Sequence, residues 1–369
     1  GSNCFLKSKT RLKMNSLYSS GARLTKQLQD HCEGYDNFFS WISYIADPPR
    51  FAVVIYPIAF SLHQPLGIRI LLAASCSAFI NVTIKWILNE HRPFWYVKAH
   101  KELGVQLAQT PQTCETGPGS PSGHVMVSAA VLFTVIWYAT RDKDVRVMRR
   151  RRWIGYIVWP TYVLYLGVVG ASRVFIGAHF PHQIILGLLM GFAIGSLMTP
   201  LDVDAWKMGE YAIVSGVISL TCVSIYFGWM ALGIDPREST KLALDACDDP
   251  SYVNVSTNPL YGMMRNLACP LGLGYALSRA KAAKILEGAR RAPVWARILV
   301  GFAGVAVGGL ILCLPKPKNK ILLYAGAVVE FFIFSFTVGY VLPYVLYRNY
   351  MPVNPSMAAP KKQSFSPEG

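Results

Sequence analysis

Charge is scarce in this chain: 15% of its 369 residues are Asp, Glu, Lys or Arg, while 53% are hydrophobic. Soluble domains carry about a quarter charged residues, so an ordinary water-soluble globule is excluded and a membrane protein is indicated. Linkers are missing as well. No Gly/Ser- or Pro-rich stretch divides the sequence and no internal repeat shows. That points to one membrane-embedded domain over residues 36–348, between a flexible N-terminal segment at 1–35 and a disordered tail at 349–369. The eight cysteines form no CxxC pair and no Cys/His cluster, which argues against a zinc site or a disulfide framework. Whether Cys32, Cys114 and Cys247 pair is left open. No cleavable signal peptide is evident, and residues 1–13, ahead of Met14, read as an extension rather than as part of the fold.

Long apolar runs are what the chain does have. A spanning helix needs about 20 mainly apolar residues. Nine segments qualify: 44–63, 67–89, 122–140, 153–171, 181–199, 211–233, 259–278, 295–314 and 321–347. The expected fold is all-α, a polytopic bundle of about nine transmembrane helices. The first segment is interrupted by Asp47-Pro48-Pro49-Arg50 and is cleanly apolar only from Phe51.

The formal net charge is +16. In a soluble protein that surplus would indicate nucleic acid or an acidic ligand. Here the cations bunch in short loops between apolar runs, where they orient the chain in the bilayer, so no nucleic-acid partner is expected. Loop Arg141–Arg152 holds seven basic residues against two acidic, and loop Arg279–Arg297 six against one. Both fall on one side of a nine-span arrangement, together with the tail carrying Arg348, Lys361 and Lys362; that side is read as cytosolic. Loop Asp235–Asp249, with five acidic residues against two basic, faces the other way. The basic N-terminus and Lys316, Lys318 and Lys320 run against this orientation, which still leaves the N-terminus lumenal and the C-terminus cytosolic.

Three separated stretches then meet on the lumenal side: Lys85-x6-Arg92-Pro93, Pro121-Ser122-Gly123-His124 and Ser172-Arg173-x5-His179. Singly, each residue has an ordinary reading. Lys85 would be a lysine snorkelling from a span end, the two arginines interface anchors, His124 a helix cap and Ser172 a small polar residue. Those readings explain neither the spacing nor the shared membrane face. A phosphomonoester suits the residues present, because its transfer needs donors aimed at three equatorial oxygens. Arg92 and Arg173 supply planar forks and Lys85 a point charge. Ser122 and the Gly123 amide open a helix, where unsatisfied N–H groups favour an anion. His179 is then the nucleophile and His124 the general acid and base. With this much positive charge neither a cofactor nor a metal is expected.

The three stretches resemble the signature of the type 2 phosphatidic acid phosphatase superfamily. Within it, Lys85–Leu88, Arg92–Trp95, Cys114–Ser120 and Ala178–Gln183 resemble the catalytic subunits of glucose-6-phosphatase, and the likeness runs from about Asp36 onward. Gly195–Pro200 is more similar to the ubiquitously expressed member than to the liver one. The resemblance implies glucose 6-phosphate as substrate, hydrolysed through a phosphohistidine at the lumenal face of the endoplasmic reticulum. It also implies membrane lipid as the surroundings and a glucose-6-phosphate translocase as functional partner. A lipid phosphate phosphatase, usually of about six spans, and a non-enzymatic anion transporter are the alternatives.

In much of the superfamily an aspartate stands four positions after the nucleophilic histidine; here that residue is Gln183, as in glucose-6-phosphatases. A nucleophilic imidazole works best when an acceptor fixes its far nitrogen. Asp47, a carboxylate near a span end, is assigned that role at the sequence level, with Glu115 second and a helix-start role for Asp47 as the plain alternative. Trp95 and Tyr96 offer ring faces for a sugar or for an aromatic belt. His182 reads as structural. The sequon at Asn81 lies inside a span, whereas that at Asn254 lies in the lumenal loop and is a candidate glycosylation site.

Overall fold

The computed structural model describes residues 2–140, 145–236, 238–253 and 257–350. Asn254 and most of the tail therefore lie outside the described residues. Among those described there is no strand. The helices in chain order are α1 (Ser2–His31), α2 (Asp36–Ile45), α3 (Pro48–Leu62), α4 (Gln64–Leu88), α5 (Pro93–Ala99), α6 (Gly123–Thr140), α7 (Val145–Phe175) and α8 (Pro181–Met198). They continue with α9 (Met208–Ala231), α10 (Glu238–Ala246), α11 (Pro259–Ser278), α12 (Ala282–Arg291), α13 (Val294–Cys313), α14 (Lys320–Phe336) and α15 (Leu342–Tyr350).

Seven of these stretches are long and apolar enough to cross a membrane, and eight if the bent α2–α3 pair counts as one span. The expected nine is not reached on that measure. The missing one is α11: its 20 residues are enough to span, but Arg265, Asn266 and several glycines dilute its apolarity. It is packed among α4, α9 and α14, with thirteen of its residues buried. A helix surrounded by protein needs no lipid-facing surface, so hydropathy understates it.

The break in the first span has a local cause. Pro48 and Pro49 stand at the first positions of α3, where a missing N–H costs nothing. The residue before a proline is pushed out of helical geometry, and Asp47 is extended there (φ −58°, ψ 123°). The result is a 54° bend that delivers Asp47 to the bundle interior rather than along a straight rod.

Residues 1–35, read as flexible, contain the 30-residue helix α1, whose Tyr18, Ala22, Thr25 and Gln29 are buried. Tyr18 stacks on Phe180, and Gln29 donates to the carbonyl of Phe175 at 2.7 Å. Both partners belong to the turn that carries His179. This helix is polar overall, so a search for long apolar runs passes over it.

α6 lies between α4, α7 and α8. Its contact with α8 depends on glycines: a Cβ on Gly187 would meet the Ser122 carbonyl oxygen at 2.8 Å, and Gly191 and Gly195 face α6 in the same way. Small residues let helix backbones approach closely where no hydrophobic effect drives association. That approach seats the start of α6 beside the start of α8.

Candidate active site

Five structural elements bring the three motifs together. Lys85 sits in the last turn of α4 and is 7% exposed. Asn81, one turn earlier, donates to the Pro121 carbonyl at 3.0 Å and so fixes the Pro121–Gly123 turn that opens α6. The Ser122 N–H donates to the Gln183 carbonyl at 3.0 Å. At the end of α7 the chain reverses through Gly177, whose φ of +68° suits glycine. The N–H groups of Ala178 and His179 then both donate to the Arg173 carbonyl, at 3.1 and 3.2 Å. Motif residues six apart thus become neighbours.

His179 is fully buried. Its Nδ1 lies 2.7 Å from the Gly119 carbonyl oxygen and 3.4 Å from Gln183 Oε1, while Nε2 has no partner among the described residues. With the proton on Nδ1, the Nε2 lone pair is free to attack. This corrects the placement expected for Asp47: the acceptor at His179 Nδ1 is the Gly119 backbone carbonyl. Gln183 instead fastens the frame, donating to the His91 carbonyl at 2.9 Å and to Glu90 at 3.1 Å while accepting from the Phe180 N–H. Glu90 also meets His182 Nε2 at 3.0 Å, which gives His182 a structural partner. Burial, followed by the fields of Arg92 and Arg173, holds the His179 pKa well below its ordinary 6.5, so the ring is neutral near pH 7.

Asp47 is placed at the other histidine. Its Oδ1 is 3.8 Å from His124 Nε2, and its Oδ2 takes a 2.9 Å ion pair from Arg50. It stands at the N-cap of α3 without a capping hydrogen bond. Glu115, the second candidate for His179, is likewise elsewhere. One oxygen accepts from Arg92 Nη2 at 2.8 Å, and the other accepts from Arg173 Nη2 and lies 3.8 Å from His124 Nδ1. Burial alone would raise its pKa, but Arg173 and then Arg92 outweigh that and hold it well below the usual carboxylate range.

Arg92 does more than offer a fork. It is fully buried, and its Nε donates to the Gly117 carbonyl at 2.6 Å, Nη1 to Ala178 at 3.1 Å and Nη2 to Pro118 at 3.2 Å. It ties the loop that supplies the Gly119 carbonyl to the residue preceding His179. Arg173 is less committed: Nη1 donates to Ser43 Oγ at 2.6 Å, and Nε is buried without a partner among the described residues. Ser122 Oγ, beside the Gly123 amide, is also buried with no partner among the described residues. A disulfide, Cys114–Cys247, anchors the Glu115 loop to the end of α10.

A cavity of about 480 Å³ opens onto this cluster, and Asp47, Lys85, Glu115, His124 and Arg173 are among the residues that line it. Asn258, Arg265 and Asn266, from the α11 region, line it as well. Trp95 and Tyr96 do not line it; they are buried in separate clusters, against Cys114 and Ala246 and against Tyr18 and Phe180. Neither ring is available to a sugar. Among the described residues no three His, Cys, Asp or Glu side chains are grouped as a metal would require.

The arrangement is that of a phosphoryl-transfer site: a neutral, oriented imidazole, a second imidazole between two carboxylates, and three cations converging from different helices. What sequence reasoning could not supply was the Gly119 carbonyl, Ser43 and Asn81. Only the unbroken Cys114–Ser120 run marked that region as special.

Comparison with known proteins agrees. A model of the PAP2 superfamily matches residues 66–207, which contain all three motifs. The chain is 34% identical to glucose-6-phosphatase 3 of Rattus norvegicus over 267 residues, covering 72% of this chain and 77% of the relative. It is 32% identical to glucose-6-phosphatase 2 of Homo sapiens, with the same coverage, and 29% identical to glucose-6-phosphatase catalytic subunit 1 of Rattus norvegicus, covering 83% and 88%. No solved structure matches significantly. The chain therefore belongs to the glucose-6-phosphatase family of multi-pass membrane phosphatases, within the PAP2 superfamily.

Proposed function

We propose that this protein hydrolyses glucose 6-phosphate to glucose and phosphate through a phosphohistidine on His179, at the lumenal face of the endoplasmic reticulum. The observation that carries the mechanism is the state of His179: Nδ1 is held at 2.7 Å by Gly119 and Nε2 is unpartnered. In the first step Nε2 attacks phosphorus, the bond from phosphorus to the sugar oxygen breaks, and His124 gives that oxygen a proton. In the second step His124 takes a proton from water, the hydroxide attacks phosphorus, and the P–N bond breaks to release phosphate and neutral His179. Lys85, Arg92, Arg173, Ser122 and the Gly123 amide hold the equatorial oxygens throughout. The sugar comes from the relatives' names, since the catalytic residues specify only phosphoryl transfer.

Two observations support a lumenal site. The Cys114–Cys247 disulfide adjoins Glu115, and disulfides persist in oxidising compartments. The basic Arg279–Arg297 loop lies at the opposite end of the bundle, where Arg290 donates to Gln64 and Arg297 to Ser61. A lumenal site needs substrate delivered from the cytosol, which makes a glucose-6-phosphate translocase the functional partner.

The test is a comparison of glucose 6-phosphate with phosphatidic acid, using purified protein in detergent beside His179→Ala and His124→Ala. Hydrolysis of the sugar ester should vanish in the first variant and fall about 10²–10⁴-fold in the second. With p-nitrophenyl phosphate, whose leaving group needs no acid, His124→Ala should accumulate an acid-labile phosphoenzyme. Preference for the lipid, or full turnover without His179, would overturn the reading.

A further inference from the structure

We propose that Glu115 is a positioning residue which the substrate's phosphoryl group displaces from Arg92 and Arg173, and which then holds His124 through Nδ1. The inference rests on the phosphohydrolase reading above and concerns how that site is opened.

The nucleophile and the cavity are not continuous. Asp47, Lys85, Glu115, His124 and Arg173 line the cavity, but His179 and Arg92 do not, and both are fully buried. For attack, phosphorus must come within about 3–3.5 Å of Nε2. The carboxylate of Glu115 stands at this boundary. Its two oxygens are divided between the two guanidiniums, each 0% exposed, while its own side chain keeps 14% exposure. It makes the kind of charge-assisted fork contact that a phosphoryl group would make.

Donor accounting shows that the two anions compete. A guanidinium has five N–H groups. Arg92 uses three on the carbonyls of Gly117, Ala178 and Pro118 and another on Glu115. One N–H remains, so a phosphoryl group that engages Arg92 by more than one must displace an acceptor already there, and of the four Glu115 alone is a side chain that lines the cavity. A dianion with three oxygens is attracted to this cationic cluster more strongly than a carboxylate, and it repels that carboxylate at close range.

The displaced side chain has a place to go. Glu115 Oε1 is already 3.8 Å from His124 Nδ1, about 1 Å beyond hydrogen-bond length. Closing that gap gives His124 an acceptor on Nδ1, leaving Nε2 to donate to the sugar oxygen and later to accept from water. An anion on Nδ1 stabilises the charged ring in the way a triad carboxylate does. Arrival of phosphate would therefore expose the nucleophile and arm the acid in one movement.

Glu115→Gln removes the competing charge while keeping the shape. Expected are inhibition by inorganic phosphate at about tenfold lower concentration and a kcat reduced about 10²-fold. A merely structural Glu115 would give weaker phosphate binding along with slower turnover. Glu115→Asp, too short to bridge both arginines, should shift both quantities in the same directions by less. Phosphate affinity that is unchanged or weaker in whichever variant stays folded overturns the proposal. So does a structure of the unmodified protein with orthovanadate in which Glu115 still spans both arginines. Failure of the phosphohydrolase reading would look different: the unmodified protein would not hydrolyse the ester at all.

Discussion

A nucleophilic imidazole held by a carbonyl is only as well aimed as that carbonyl. Gly119 contributes no side chain, yet its oxygen sets the Nδ1 proton and the ring plane of His179 at 2.7 Å. A Cβ at this position would meet the His91 carbonyl oxygen at 2.5 Å and the Gln183 amide at 2.6 and 2.8 Å. Both partners belong to the frame that fixes the His179 turn, so the loop must shift by some tenths of an ångström. Gly119→Ala is expected to lower kcat about 10²-fold, with KM for the phosphate ester changed far less. Steady-state kinetics decides it; an unaltered kcat would mean the carbonyl is not what aims the ring. At this scale the motif residues are legible because phosphate chemistry demands particular side chains. The Gly119 carbonyl is not, since any residue has one. The placement expected for Asp47 fails for a related reason: a carboxylate near a span end does not reveal which histidine it will lie beside.

Helices transmit these placements, and the α6–α8 contact is a close one. Gly191 faces the Met126 carbonyl and Ala129 of α6 closely enough that any Cβ would collide with backbone. Gly191→Val should therefore push the two helices apart, costing about 1–3 kcal/mol by overpacking. The start of α6, with Ser122 and His124, would move away from the Gln183 carbonyl that receives the Ser122 N–H. A lower melting temperature in detergent together with reduced turnover is the expected result, whereas a variant as stable as the parent would show that the contact can relax. Most of these elements are readable in the sequence, because an unbroken run of about 20 apolar residues matches the thickness of a bilayer and little else. Two are less so. α11 is visible as a segment but is not apolar enough to register as a span, since its polar face looks into the cavity. α1 has no apolar run at all, and its order comes from a few buried contacts such as Tyr18 on Phe180, which only the tertiary structure reveals.

For the molecule as a whole, α4 sets the scale. From Gln64, beside the basic Arg290, to Lys85 at the site is 21 residues, about 30 Å at 1.5 Å per residue and close to the hydrocarbon thickness. Concentrating Lys85, Arg92 and Arg173 at one end of such a bundle has a consequence for pH. His179 is held neutral well below its ordinary 6.5, and Glu115 is held ionised well below its ordinary 4.5. On unfolding, each group regains its ordinary affinity for protons. Below about pH 6.5 the unfolded chain therefore binds more protons at His179 than the folded one, and below about 4.5 it does so at Glu115 as well. Stability rises with pH wherever the unfolded state binds more protons, so these two contributions are complete above about 6.5 and are lost in two stages on acidification. A melting temperature measured from pH 8 to pH 4 should begin to fall near 6.5 and fall more steeply below 4.5. His179→Asn, which cannot titrate, should make the first stage shallower, without abolishing it because other histidines titrate there too, and should leave the second. Turnover should keep no acid limb near pH 6.5 from His179, because in the folded protein that ring stays unprotonated there. An identical slope between pH 6.5 and 5 in the parent and the variant would show that the buried cluster does not hold His179 neutral.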